Sequence, residues 1–117
     1  MIAVPSGVRI VVATTPVDFR RGMDSLAMLV QQAQGCSPYN GDLFIFRAKR
    51  GDKIKILAWD GTGLWLHQKR LEKHCFFWPS VRSGVMVLSS AQLAMLLEGL
   101  DWSRVAPVKI KPPMRAC

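Results

Sequence analysis

The chain has 117 residues, half of them hydrophobic, with sixteen lysines and arginines against eight acids, a formal charge of +8 and an isoelectric point near 10. A domain of this size buries roughly two-thirds of the surface its unfolded chain exposes, so it needs neither disulfide nor metal to fold. Its apolar content excludes global disorder, and no apolar run approaches the roughly 18 to 20 residues of a membrane-spanning helix.

In chain order, Val8 to Ala13 (VRIVVA) is rich in β-branched residues and reads as a strand. Thr15-Pro16-Val17-Asp18 reads as a helix start, with Thr15 as cap and Pro16 at the first helical position. Gly22 interrupts that turn, and Met23, Leu26, Ala27, Val30 and Ala33 then recur at helical spacing. The helix is therefore placed at about Met23 to Gln34, with Gly35 ending it.

A loop follows, with a turn at Asn40-Gly41. Leu43 to Ala48 reads as a strand, Lys49 to Asp52 as a turn, and Lys53 to Asp60 as the return strand. In the return strand Ile54 and Ile56 alternate with Lys53 and Lys55, which predicts one buried and one wet face. Asp60-Gly61-Thr62-Gly63 is the next turn, Leu64 to Lys69 a third strand, and His74 to Trp78 a fourth, stopped by Pro79. Gly84 to Leu88 is a candidate fifth strand. Ser89 and Gln92 have the spacing of a capping box, before a helix ended by Gly99. The expected fold is a single α+β domain over residues 1–102. It has a twisted antiparallel sheet of about five strands, with two main helices on one face. Residues 103–117 (SRVAPVKIKPPMRAC) carry basic residues and prolines without an acid and read as a mobile tail.

Three cysteines at wide spacing do not form a disulfide framework, and reduced thiols are expected. The N-terminal stretch lacks a basic region ahead of its apolar run and carries Arg9 within it, so it does not read as a signal peptide. A cytoplasmic protein is expected, associated with the nucleoid if it binds DNA.

Three stretches carry a family likeness. The first two are Asp18-Phe19-Arg20-Arg21-Gly22-Met23-Asp24 and Gly41 to Leu57, which contains GDLFIFR and RGDKIKIL. The third begins at Trp59-Asp60-Gly61-Thr62-Gly63-Leu64 and continues through Lys69-Arg70-Leu71-Glu72, Phe77-Trp78-Pro79 and Gln92 to Trp102. With these residues the chain resembles, from about Val8 to Trp102, the TnpB-type accessory proteins of insertion-sequence-66 elements. The resemblance implies a non-catalytic factor for DNA transposition that works beside a separate, larger DDE transposase. It carries no catalytic residue and no cofactor over to this chain.

A charge this far from zero attracts polyanions. The candidate nucleic-acid contacts are Arg47, Lys49, Arg50, Lys53 and Lys55 on the first hairpin, with Lys69, Arg70 and Lys73 near the third connection. A hairpin can enter a DNA groove, and phosphate contact needs several cations within reach of one backbone. Arg20, Arg21, Lys109, Lys111 and Arg115 are secondary candidates. The bland alternative is a solvated sheet face whose lysines discourage edge pairing.

Trp59, Trp65, Phe76, Phe77 and Trp78 are assigned mainly to core, against stacking on single-stranded bases. His67, His74 and Cys75 lack the paired spacing of a zinc site, so no metal is expected. Asp18, Asp24, Asp42, Asp52 and Asp60 invite a metal-dependent nuclease reading, but three of them sit at turns, where aspartate serves the backbone. No enzyme activity is expected. The partners are then DNA, the transposase, or both. A pure protein–protein adaptor to the transposase is the alternative of a different class.

Overall fold

The structure is a computed structural model; it describes residues 7–79 and 84–103. A five-stranded sheet is built from β1 (Ile10–Ala13), β2 (Leu43–Arg47), β3 (Lys53–Trp59), β4 (Leu64–Arg70) and β5 (Val85–Leu88), in the order β4-β3-β2-β1-β5. Helix α1 (Met23–Ala33) lies between β1 and β2 in the chain, and α2 (Ser90–Leu97) follows β5.

The sheet is mixed, which corrects the expectation of an antiparallel one. β1 runs parallel to β2, with Val11 opposite Phe44, while the other three pairings are antiparallel. The cause is α1. A helix between two neighbouring strands returns the chain to enter the second in the direction of the first.

The helices also lie on opposite faces rather than one. Ile10, Val12, Leu43, Ile45, Ile54 and Ile56 pack with Leu93 and Leu96 of α2. Val11, Ala13, Phe44, Phe46 and Leu57 pack with Leu26, Ala27 and Val30 of α1. Successive strand residues point to opposite faces, so a strand covered on both must be apolar at every position. Phe44 and Ile45 are neighbours in the chain and both are fully buried, one in each layer. Each such side chain contributes about 1.5–3 kcal/mol through its burial.

The helix ends follow their local sequence. Ser89 accepts from the Gln92 backbone N–H while the Gln92 side chain accepts from Ser89 N–H, completing the expected capping box. At the other end Gly99 N donates to Leu96 O and Leu100 N to Met95 O, a Schellman closure that needs the left-handed φ of +74° at Gly99. Helix α1 starts where the periodicity places it, while the earlier helix start read at Thr15-Pro16-Val17-Asp18 does not form. The helix begins at Met23 with Gly22 as its cap, and residues 14–22 form a separate connection. Gly22 makes the cap with no side-chain hydrogen bond, so Thr15 and Pro16 start no helix.

His74 to Trp78 is not a strand. The segment lies across the turn between β2 and β3 and is held there by Phe76 N to Gly51 O (2.9 Å), Leu71 N to Asp52 O (2.9 Å) and Trp78 Nε1 to Gly51 O (3.0 Å). Phe76 and Trp78 pack into the layer beneath α2. The expected mobile tail falls outside the described residues beyond Ser103. Cys75 is free and exposed. Cys36 is buried, and Cys117 lies outside the described residues.

Candidate nucleic-acid interface

The crossing of residues 71–78 over the β2–β3 turn brings together two basic stretches that are far apart in the chain. The turn offers Lys49 and Arg50, both exposed, and Lys53 at the start of β3. Lys53 pairs across the ladder with Arg70, the last residue of β4. Lys73 follows in the crossing segment, and the Cys75 thiol donates to the Arg50 carbonyl at 3.1 Å. One end of the sheet therefore carries Lys49, Arg50, Lys53, Arg70 and Lys73.

The connection into α1 adjoins the same end. Val17 N donates to Arg47 O, at the close of β2, at 2.9 Å. This connection brings Arg20 and Arg21 alongside. Arg20 is held by Asp18 in an ion pair of 2.6 Å, and Arg21 donates to the Ser25 hydroxyl at 2.7 Å. The Arg20 side chain, by hydrogen bonding, holds the Asp18 carboxyl down at about 2 and raises its own pKa in turn.

Four of the predicted contact residues have their charge engaged by the protein itself. Arg70 forms an ion pair of 3.3 Å with Glu72, and Lys55, Lys69 and Arg47 are held by contacts within the fold. Lys55 is only 6% exposed, and its ammonium donates to the carbonyls of Phe19 and Arg21 at 2.7 and 2.8 Å. It is removed from the candidate surface, because the lysine face of β3 is covered by the connection into α1 and is not wet. The Lys69 ammonium, on an exposed residue, donates to Leu97 O at 2.6 Å and so caps the C-terminal end of α2. The Arg47 guanidinium lies 5.3 Å from the Trp78 ring centre, half-buried under the crossing segment. Lys109, Lys111 and Arg115 lie outside the described residues.

The described residues carry eleven of the sixteen basic side chains and all eight acids, a net charge of +3. Their distribution matters more than their sum. At the opposite end of the sheet Arg9 is joined to the buried Asp42 through hydrogen bonds of 2.8 to 3.1 Å. Asp60 sits there too, in the β3–β4 turn. Of the remaining acids, Asp18 pairs with Arg20 and Asp24 lies in the first turn of α1, while Asp52 in the β2–β3 turn and Glu72, 3.3 Å from Arg70, share the basic end. Among the described residues no three histidines, cysteines or acids come together as a metal site.

The aromatic residues divide. Phe76 is buried as expected, but Trp65 and Phe77 are 55% and 47% exposed. Trp65 faces outward because its indole N–H donates to Asp60 Oδ2 at 2.7 Å, a hydrogen bond that alternation alone did not reveal. Asp60 is held below the usual carboxylate range, first by the Thr62 backbone N–H, then by the Trp65 indole and the Gly63 N–H.

The described residues form a small α+β domain whose basic side chains gather at one end of the sheet. The chain belongs to the IS66 Orf2 like protein family, whose pattern matches residues 8–107. It is 46% identical to the uncharacterized protein y4jC of Sinorhizobium fredii (strain NBRC 101917 / NGR234), over 98% of both chains. It is 44% identical to y4hO of the same strain, also uncharacterized, over 84% of this chain and 87% of that one. No solved structure matches. The family sets this protein among the accessory products of insertion-sequence-66 elements, distinct from the transposase itself. Among the described residues no helix is long and apolar enough to cross a membrane.

Proposed function

We propose that this protein serves transposition by binding DNA through the end of the sheet formed by the β2–β3 turn and the segment that crosses it. The observation that carries this reading is the convergence of Lys49, Arg50, Lys53 and Lys73, with the Glu72-paired Arg70, from two chain stretches onto one end of the sheet. Rigid, closely spaced cations match a phosphate backbone because each contact displaces a condensed counterion. The protein works beside the element's transposase and supplies no catalytic group of its own.

The deciding experiment is binding of a labelled duplex at several salt concentrations to the wild-type chain and to a variant with Lys49→Gln, Arg50→Gln, Arg70→Gln and Lys73→Gln. Wild-type affinity falls steeply with salt. The variant keeps the wild-type melting temperature and loses up to about 3.6 units from the slope of log affinity against log salt, about 0.9 for each of four phosphate contacts removed. Absence of duplex binding at low salt, with the transposase co-purifying after nuclease treatment, supports the adaptor reading in its place.

A further inference from the structure

β4 forms one edge of the sheet, and among the described residues no strand lies beyond it. Its register with β3 runs from Lys53–Arg70 to Trp59–Leu64 without a bulge. The hydrogen bonds that close the two ends of this ladder fix its phase. Leu71 N donates to Asp52 O at 2.9 Å, and Asp60 N donates to Gly63 O at 3.1 Å. Trp65, His67 and Lys69 therefore bond to β3, and the N–H and C=O groups of Leu64, Leu66, Gln68 and Arg70 point away from the sheet. Among the described residues no turn or loop backbone bonds to these outward groups.

Edge strands are commonly kept apart by prolines, bulges or charges along their length. β4 has no proline, and its two cations, Lys69 and Arg70, occupy its last two positions. Both are engaged within the fold, Lys69 on Leu97 O and Arg70 on Glu72. The first half of the strand is apolar on both faces. Leu64 and Leu66 are half-buried on the α1 side. Trp65 stands 55% exposed on the α2 side, where the Asp60 carboxylate holds its indole and the His67 ring stacks beside it.

We propose that β4 is the contact between two copies of this chain, paired antiparallel about a two-fold axis at His67. Leu64 then meets Arg70 of the second copy, and Leu66 meets its Gln68, so every outward N–H and C=O of both strands finds a partner. On the α2 side Trp65 falls opposite Lys69 of the second copy. The Lys69 ammonium is drawn to Leu97 O, so what faces the Trp65 ring is an aliphatic stem. No two cations stand opposite each other in this register, whereas parallel pairing sets Lys69 against Lys69 and Arg70 against Arg70, an arrangement that destabilises a sheet. The same axis carries the two basic ends to opposite ends of the joined sheet, out of each other's reach. An extended peptide of another protein would need this reversed order of side chains, which a second copy supplies by symmetry. The inference does not rest on the DNA-binding reading, and its test contains no DNA in its main arms.

The full chain is followed by sedimentation equilibrium at rising concentration, with amide hydrogen exchange read on the same samples. One strand pair is a small interface, so dimers are expected at high micromolar concentration. Exchange at the Leu66 and Gln68 amides slows as the dimer forms. Gln68→Pro removes an outward N–H that the fold itself does not use, so it melts as the wild type does and stays monomeric. His67→Cys, in a Cys75→Ser background, cross-links to its own copy on oxidation, since residues opposite in a non-hydrogen-bonded pair lie about 4.5 Å apart between Cα atoms, within disulfide reach. The cross-link reads the same register without a proline in the strand. Monomers at every concentration overturn the proposal, as does a dimer that a folded Gln68→Pro leaves intact or one in which His67→Cys forms no cross-link. Edge amides that slow only when the element's transposase or DNA is added assign the edge to that occupant and overturn it equally.

Discussion

The Lys55 ammonium donates to the Phe19 carbonyl at 2.7 Å and lies 4.9 Å from the centre of the Phe19 ring. With its second bond, to Arg21 O, it fastens the connection ahead of α1 onto the sheet. Lys55→Met leaves two carbonyls without this donor, at a cost of about 1–3 kcal/mol. The melting temperature should fall by roughly 5–15 °C for a domain of this size. DNA affinity per folded molecule stays at the wild-type value, in contrast to Lys49→Gln. Thermal denaturation and polarisation on the same samples separate the two roles.

Gly51 fixes the crossing of residues 71–78. Its φ is +77°, and a Cβ there would lie 3.2 Å from Trp78 Nε1 and 3.3 Å from Arg47 Nη2. Gly51→Ala combines left-handed strain of about 1–2 kcal/mol with displacement of the Trp78 and Arg47 side chains. The urea midpoint should fall, and native-state alkylation of Cys75 should quicken as the segment loosens.

Cys75 also reports occupancy of the proposed surface. It is exposed and its thiol lies against the Arg50 carbonyl. Saturating DNA should slow its modification by a maleimide several-fold, and the same DNA at high salt should give no protection. Equal rates with and without DNA at low salt place the contact elsewhere.

Two carboxylates set the acid response. The folded pKa values of Asp18 and Asp60 both lie below the ordinary aspartate value, Asp18 at about 2. A depressed folded pKa stabilises the fold above the unfolded value, near 3.9, and that contribution fades as pH falls through the folded pKa. Stability from these two groups should therefore be flat above about pH 5 and decline from pH 4 toward pH 2. For Asp60 the decline is accompanied by release of the Trp65 indole, visible as a tryptophan emission change that Asp60→Ala abolishes.

Much of the architecture was legible in local pattern. The strands around Lys49–Asp52 and Asp60–Gly63, the capping box at Ser89 and the ends at Gly35 and Gly99 all follow from residue chemistry within a few positions. The placement of α1 opposite α2 depends on which strands neighbour each other, a long-range fact. Yet a signal existed. Leu43-Phe44-Ile45-Phe46 has no polar position, as a strand covered on both faces requires.

The candidate surface was half legible. Lys49, Arg50, Arg70 and Lys73 read correctly as exposed charge, but their convergence came from a segment mistaken for a strand. The aromatic run Phe76-Phe77-Trp78 suits a strand as well as a loop packed on a turn. Lys55 misled because alternation with isoleucine marks opposite faces without saying that both are covered. Trp65 was assigned inward because alternation cannot see a carboxylate five residues earlier that holds the indole out.

β1, near the start of the chain, is seated between β2 and β5, whose residues come some 30 and 75 positions later. The β2–β3–β4 meander is contiguous and can pair as soon as it is made. β1 cannot gain its second neighbour until residues 85–88 have left the ribosome, so the sheet is completed only after the whole meander has been made. Until then an apolar strand waits with one edge open, and a chain cut short before β5 exposes that edge to aggregation.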